Sequence, residues 1–306
     1  MNVMHCAVID LESGSASVLE AGKWALSVGN LGWNVHPLNR IHPLDDTAFT
    51  AISTGPLTGT GAPGSGGFTW CNFQSSGKMF YPAEGRLGPA LRFAGLDHLI
   101  FTGKCPDGVK ADVVIHDSRI TVTYVRINRT ESAAKAYERA QKRRPSEDSV
   151  IVIPSPSGVL EDDHFFISDK ITSSLLRAMG VHSLTVASSG AIPIAEPGEF
   201  CALVSRLWSA RRGLSAADAE HPARCLSVHP GIAAGAAPVW PAAARLKAGD
   251  PERQLLAALG LYWEGYAAEL GGLETAAQLL SLGCGKDISA AQLRLSGQVL
   301  DRALTQ

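Results

Sequence analysis

Residues 55–67 read GPLTGTGAPGSGG: six glycines and two prolines in thirteen residues, with no charge. The stretch follows an apolar and small run, Phe49 to Thr54, and precedes another β-type run, Phe68 to Phe73. Glycine has no Cβ and accepts positive φ, so a loop of this kind either brings backbone close to a ligand or makes a tight β–β connection.

Working outward, the first 125 residues alternate apolar and polar positions in short runs separated by turn residues, which is the strand signature. HCAVIDL and ASVLEA flank a turn; FTAIST and FTWCNF flank the glycine loop; HLIFTG, DVVIHD and RITVTYVRI follow. GPALRFAGLDH interrupts them as a helix, with Leu87, Leu91 and Ala94 at helical spacing and Gly95 near its end. ESAAKAYERAQKRR reads as a charged, exposed helix stopped by Pro145. SVIVIPSPSG is then a strand leading into a turn, DKITSSLLRAM a helix capped by Gly180, and HSLTVASSG a strand. Beyond Pro193 come the amphipathic helix PGEFCALVSRLWSARRGL, a Pro- and Ala-rich connection over 213–250, and helices over 251–282 and 288–304. The expected organisation is α+β: a β-rich domain over 1–190 and a smaller α-helical domain over 191–306.

Composition narrows the function. The 306 residues carry 27 Lys and Arg against 29 Asp and Glu, so no concentrated positive field exists for nucleic acid or an anionic membrane. No run of 18 apolar residues is present, and the start lacks a basic region followed by an apolar one, so a cytoplasmic protein is expected. The six cysteines, Cys6, Cys71, Cys105, Cys201, Cys225 and Cys284, give no zinc or iron–sulfur spacing. No nucleophile elbow, Walker loop or H-E-x-x-H helix occurs. A β run rather than a helix follows the glycine loop, which argues against a dinucleotide site.

The succession of the glycine loop and GRLGPALRFAGLDHLIFTGK at 85–104 resembles the N-terminal domain of the aldehyde ferredoxin oxidoreductase family. Those tungsten enzymes hold their metal between two pterin dithiolenes and carry a similar loop ending in arginine. The opening MHCAVIDLESGSASVLE is similar to the family's first hairpin, and DPERQLLAALG at 250–260 to a segment of its helical second domain. The family's enzymes are longer, and the resemblance implies that their third domain has no counterpart here.

The cofactor motifs depart from the family pattern one after another. The loop's final arginine is Gly67, although Gly64, Ser65 and Gly66 are kept. Where the family brings an Asn and backbone amides to the pterin, this chain has Tyr81, Pro82, Ala83, Glu84 and Gly85. The Gly/Arg loop that wraps the pyranopterin aligns with Ser168 to Ala178, SDKITSSLLRA, without glycine. VGNLGWN at 28–34 keeps only Gly29, Leu31 and Gly32 of an early family signature. The cluster motif is reduced to Cys225 with His229 in RCLSVHPGIAAG, and Cys284 is either a remnant ligand or a helix-terminal core residue. No four-iron cluster is expected, tungstopterin is disfavoured, and no metal ligand is assigned.

Polar residues that replace cofactor contacts are then the candidate site. Glu84 and Arg86 beside the loop can serve as base and anion anchor, and Asp163, His164 and Lys170 in EDDHFFISDK as a second acid–base group. Gly64, Ser65, Gly66, Gly67 and Tyr81 are the expected ligand-binding residues. The bland readings are a surface ion pair for Glu84 and Arg86 and an acidic turn for Asp162 to His164. Three functions stay open: a metal-independent enzyme acting by acid–base chemistry on a small carbonyl- or carboxylate-bearing substrate in the former pterin cleft; a non-catalytic accessory subunit or homodimeric scaffold; and a retained tungstopterin oxidoreductase. A homodimer, or pairing with another chain, is expected.

Overall fold

A computed structural model describes residues 4–21, 49–74, 77–127, 131–162, 165–168, 170–212, 250–261 and 270–305. The expected connection over 213–249, the signature remnant at 28–34, and Cys225 and His229 lie outside the described residues.

The strands form two six-stranded sheets. The first contains β1 (Met4–Asp10), β2 (Ser15–Ala21), β3 (Phe49–Thr54), β4 (Gly67–Gln74), β5 (Gly77–Glu84) and β6 (His98–Thr102), in the order β2-β1-β6-β3-β4-β5. Pairing is antiparallel except between β1 and β6, which run parallel with Cys6 opposite His98. The second contains β7 (Lys110–His116), β8 (Arg119–Val125), β9 (Val150–Ser155), β10 (Gly158–Glu161), β11 (Phe165–Ser168) and β12 (Val181–Ala187), in the order β11-β10-β9-β12-β7-β8. Only β12 and β7 are parallel there.

Helices α1 (Leu87–Phe93) and α3 (Lys170–Met179) touch strands of both sheets, so they lie between them. Their apolar residues, Leu87 and Leu91 of α1 and Leu175 and Leu176 of α3, join Ile9, Ile52, Trp70, Phe101, Val113 and Val152 in one core. Full burial of side chains this size contributes about 1.5–3 kcal/mol each. The charged helix α2 (Ala133–Arg143) covers the second sheet's other face, with Ala136 and Ala140 against Ile151 and Ile153.

After the last described strand the elements are α4 (Pro197–Arg212), α5 (Pro251–Ala258), α6 (Gly272–Cys284) and α7 (Ala290–Thr305). They share a second core that includes Phe200, Leu203, Leu255, Leu273, Leu280 and Leu293. Leu57 and Ala62 of the glycine loop belong to this core, not to that of the sheets. The loop therefore fastens the first sheet to the helices. No described helix is long and apolar enough to cross a membrane.

Candidate functional site

The glycine loop begins where β3 ends and folds onto itself. Gly55 N–H donates to Thr58 Oγ1 (2.8 Å), and that hydroxyl donates to the carbonyl of Gly67 (2.6 Å). Gly59 N–H meets the Ser65 carbonyl at 2.6 Å, and Gly61 N–H meets Ser65 Oγ at 3.2 Å. The remaining bonds reach the helices: Leu57 N–H to Leu259 O (3.0 Å), Gly67 N–H to Gly260 O (3.2 Å) and Trp208 Nε1–H to Gly61 O (3.0 Å). A Cβ on Gly55 would stand 2.1 Å from the carbonyl carbon of Leu259. Close backbone approach is thus used here to seat the end of α5 on the loop, and the amides of Gly55, Leu57, Gly59, Gly61 and Gly67 are all engaged within the chain.

Of the expected ligand-binding residues, Ser65 is buried with its hydroxyl on Gly61, and Tyr81 is buried in the core between the sheets. Gly66 abuts Glu84, whose Cγ would be 3.2 Å from a Cβ placed there, and Gly64 takes φ +72°. Glu84 ends β5, half-buried against the loop, and Gly85 and Arg86 lead into α1.

Arg86 and the end of β10 build an ionic corner that the sequence did not disclose. Arg86 N–H donates to Glu161 Oε1 at 2.6 Å, its Nη1 to Asp162 Oδ2 at 2.7 Å, and its Nη2 to the Asp148 carbonyl at 3.3 Å. Asp162, in the left-handed region at φ +50°, also accepts the Ile151 N–H. Among the described residues Glu161 Oε2 is fully enclosed without a hydrogen-bond partner, and a Cβ on Gly85 would lie 2.2 Å from it. Burial first, and the Asp162 charge second, push the Glu161 carboxyl up to about 8, against the opposing pull of Arg86 and two backbone N–H groups. It therefore keeps its proton near neutral pH. Asp163 and His164 follow in sequence but lie outside the described residues, and Lys170 is exposed at the start of α3.

The segment aligned with the pterin-wrapping loop is the end of β11 and α3, and it is closed by the protein's own side chains. Thr172 Oγ1 accepts the Asn72 amide (2.8 Å), Asn72 Oδ1 accepts the Thr50 hydroxyl (3.3 Å), and Ser173 Oγ donates to Ser155 O (2.5 Å). Beside the glycine loop stand Glu84 and, at Gly85 and Arg86, the carboxyls of Glu161 and Asp162 from the end of β10, with one guanidinium that already pairs with Asp162. A pterin cofactor bearing a dianionic phosphate does not fit that donor set. Among the described residues no three His, Cys, Asp or Glu side chains are grouped to hold a metal ion.

The glycine loop does border a cavity, on a different side. About 440 Å³ is enclosed by Pro56 and Thr60 of the loop, Arg92 and Asp97 from α1 and the turn after it, the segment 192–195, and the end of α6 with Cys284 and Lys286. Arg92 Nη1 pairs with Asp97 Oδ1, and Asp97 Oδ2 accepts the His5 N–H at 2.9 Å. Cys284 Sγ donates to Pro56 O at 3.6 Å, and burial pushes its thiol up, so it stays protonated. A second hollow of about 590 Å³ shares Arg92 and runs along Phe93, Asp117, Ser118 and 189–191. Tyr81, Glu84, Arg86 and Lys170 line neither. Lys286 lies far from Arg92 and Asp97 in the sequence, and only the RFAG and GCGKD turn signals marked their neighbourhoods.

Among curated proteins none matches the sequence. One similar solved structure is described as the active-site complex BamBC of benzoyl coenzyme A reductase in complex with 1,5 dienoyl-CoA. Its TM-score is 0.60 at 19% identity, over 68% of this chain and 34% of that one. That likeness is one of fold, and the chain spans about a third of the neighbour's length. The model of the aldehyde ferredoxin oxidoreductase N-terminal domain matches residues 6–158, half of the chain. With the glycine loop, the α1 turn and the paired sheets in that order, this chain belongs to the aldehyde ferredoxin oxidoreductase family.

Proposed function

We propose that the protein is a metal-independent member of this family, without tungstopterin or an iron–sulfur cluster, acting by acid–base chemistry on a small carbonyl- or carboxylate-bearing substrate held in the 440 Å³ cavity beside the glycine loop. The carrying observation is the division of that loop. Its Gly66 side meets the Glu84 carboxylate, whereas Pro56 and Thr60 wall a cavity that Lys286 also lines. Lys286 can protonate or hydrogen-bond a carbonyl oxygen, and Asp97 is the carboxylate within the same walls. The volume lies within the about 300–1,000 Å³ of pockets that bury small ligands.

Ligand-observed NMR on the purified chain, with a library of small carbonyl and carboxylate compounds, tests the placement. Filling the cavity with Ile194→Trp is expected to abolish binding, and Glu84→Gln to leave it intact. The opposite pattern would return the site to Glu84 and Arg86, with Asp163, His164 and Lys170 as the next positions to probe.

A second reading, an accessory subunit working beside another chain or as a homodimeric scaffold, is favoured by the engagement of the loop's amides within the chain. The neighbour's description as a complex points the same way. Absence of any small-molecule binding together with a stable hetero-oligomer would select it. Either way we infer a protein that works in the cytoplasm.

A further inference from the structure

The cavity beside the glycine loop has hydrocarbon walls and one charged corner. Met4, Pro56, Ile192 and Ile194 supply the walls, and Arg92, Asp97 and Lys286 the corner. Two of those three charges cancel, because Asp97 pairs with Arg92 and also accepts the His5 N–H. Lys286 is different. Among the described residues it has no carboxylate within ion-pair distance, and it is only half exposed. Among the described residues no hydrogen bond ties the ammonium to the helix end beside it either. The last carbonyls of α6 already accept backbone N–H groups: Leu280 from Lys286 (3.4 Å), Ser281 from Gly285 (2.9 Å), Leu282 from Glu196 (2.8 Å) and Gly283 from Ala195 (3.0 Å). The Cys284 thiol in the same wall is pushed up by burial, so no thiolate competes for the cation.

We propose that the cavity takes a small monocarboxylate with an apolar body, its carboxylate on Lys286 beside Arg92 and its hydrocarbon along the Ile192 and Ile194 wall. This rests on the cavity being the ligand site. One unpaired cation matches one negative charge. A phosphate or dicarboxylate would bring a second charge with no free cation to meet it, since Arg92 is already neutralised. A neutral ligand would offer the ammonium at most a carbonyl oxygen and leave its charge uncompensated. Among the described lining residues a metal cation would meet the Asp97 carboxylate, already doubly engaged, and a protonated thiol.

Calorimetric titration of the full chain with hexanoate and with hexanamide, equal in length and differing in charge, tests the assignment. Hexanoate is expected to bind about ten- to a hundredfold more tightly than the amide, the worth of one charged hydrogen bond. Lys286→Gln should remove that advantage, bringing hexanoate to the level of hexanamide, with the melting temperature unchanged. Equal affinity for the two probes, or unaltered hexanoate binding by Lys286→Gln, would overturn the monocarboxylate assignment and leave the cavity as a neutral-ligand site. If neither probe binds the wild-type chain, the ligand class and the cavity placement both fall.

Discussion

Glu161→Gln offers a sharp test of the ionic corner at the head of α1. In the folded chain Glu161 is 3% exposed, and its carboxyl is raised from 4.5 to about 8 by burial and by the Asp162 charge. Between those two values the folded state binds a proton that the unfolded state has released. Stability contributed by this group is therefore fully present below about 4.5 and is lost as pH rises through about 8, at about 1.4 kcal/mol per pH unit. The whole window amounts to on the order of 5 kcal/mol, reduced in practice as Asp162 and Arg86 readjust. Glutamine keeps the acceptor for Arg86 N–H and cannot ionise. Urea unfolding of wild type and variant at pH 5, 7 and 9 is the assay. At pH 5 the two should agree within about 1 kcal/mol, the net worth of a rearranged hydrogen bond. At pH 9 the variant should be more stable by at least about 2 kcal/mol, a conservative share of the full window. A stability difference that does not change with pH would refute the reasoning, because it would mean that Glu161 is ionised in the folded state throughout.

Gly55→Ala places a Cβ 2.1 Å from the Leu259 carbonyl carbon and should cost at least about 2 kcal/mol by prising the loop from α5; a thermal melt within a degree of wild type would contradict this. Gly85→Ala collides with Glu161 Oε2, so its cost should shrink by at least about 1 kcal/mol in a Glu161→Ala background, measured as a double-mutant cycle. Burial pushes His98 down to about 4, so between there and 6.5 the folded state binds fewer protons than the unfolded one, and stability falls as pH drops through that window. An NMR titration placing the His98 midpoint near 6.5 would count against it.

The order of elements was largely legible because alternation and glycine punctuation are local signals. FTAIST, FTWCNF and HLIFT became β3, β4 and β6, and the helices expected before Gly95 and Gly180 end there at positive φ. β5 was missed because GKMFYPAE contains Pro82, which is tolerated since β5 is the sheet's edge strand. β10 and β11 are four residues each, too short to show a period, so EDDHFF read as an acidic turn rather than the end of one strand and the start of another. Helices were expected to fill 251–282; the described part has α5 ending before Gly260, at φ +89°, and α6 beginning at Gly272.

The site was less legible, because its partners are far apart in the chain. Proximity to the loop singled out Glu84 and Arg86, but nothing local tells that Arg86 meets Asp162 across 76 positions. Nor does anything local bring Lys286 into one cavity with Arg92. The glycine loop's capacity for close approach was evident from its composition, whereas the partner met at Gly55, the Leu259 backbone, is set by tertiary packing.

The most direct measurement is the elemental and pterin content of the chain purified anaerobically from cells supplied with tungstate and molybdate. A glycine loop committed to α5 and a corner lined by Glu84, Glu161 and Asp162 should yield only trace tungsten, molybdenum, pterin, iron and acid-labile sulfide. One tungsten or molybdenum per chain with pterin, or iron and sulfide at about four per chain, would contradict the metal-independent function proposed for this family member.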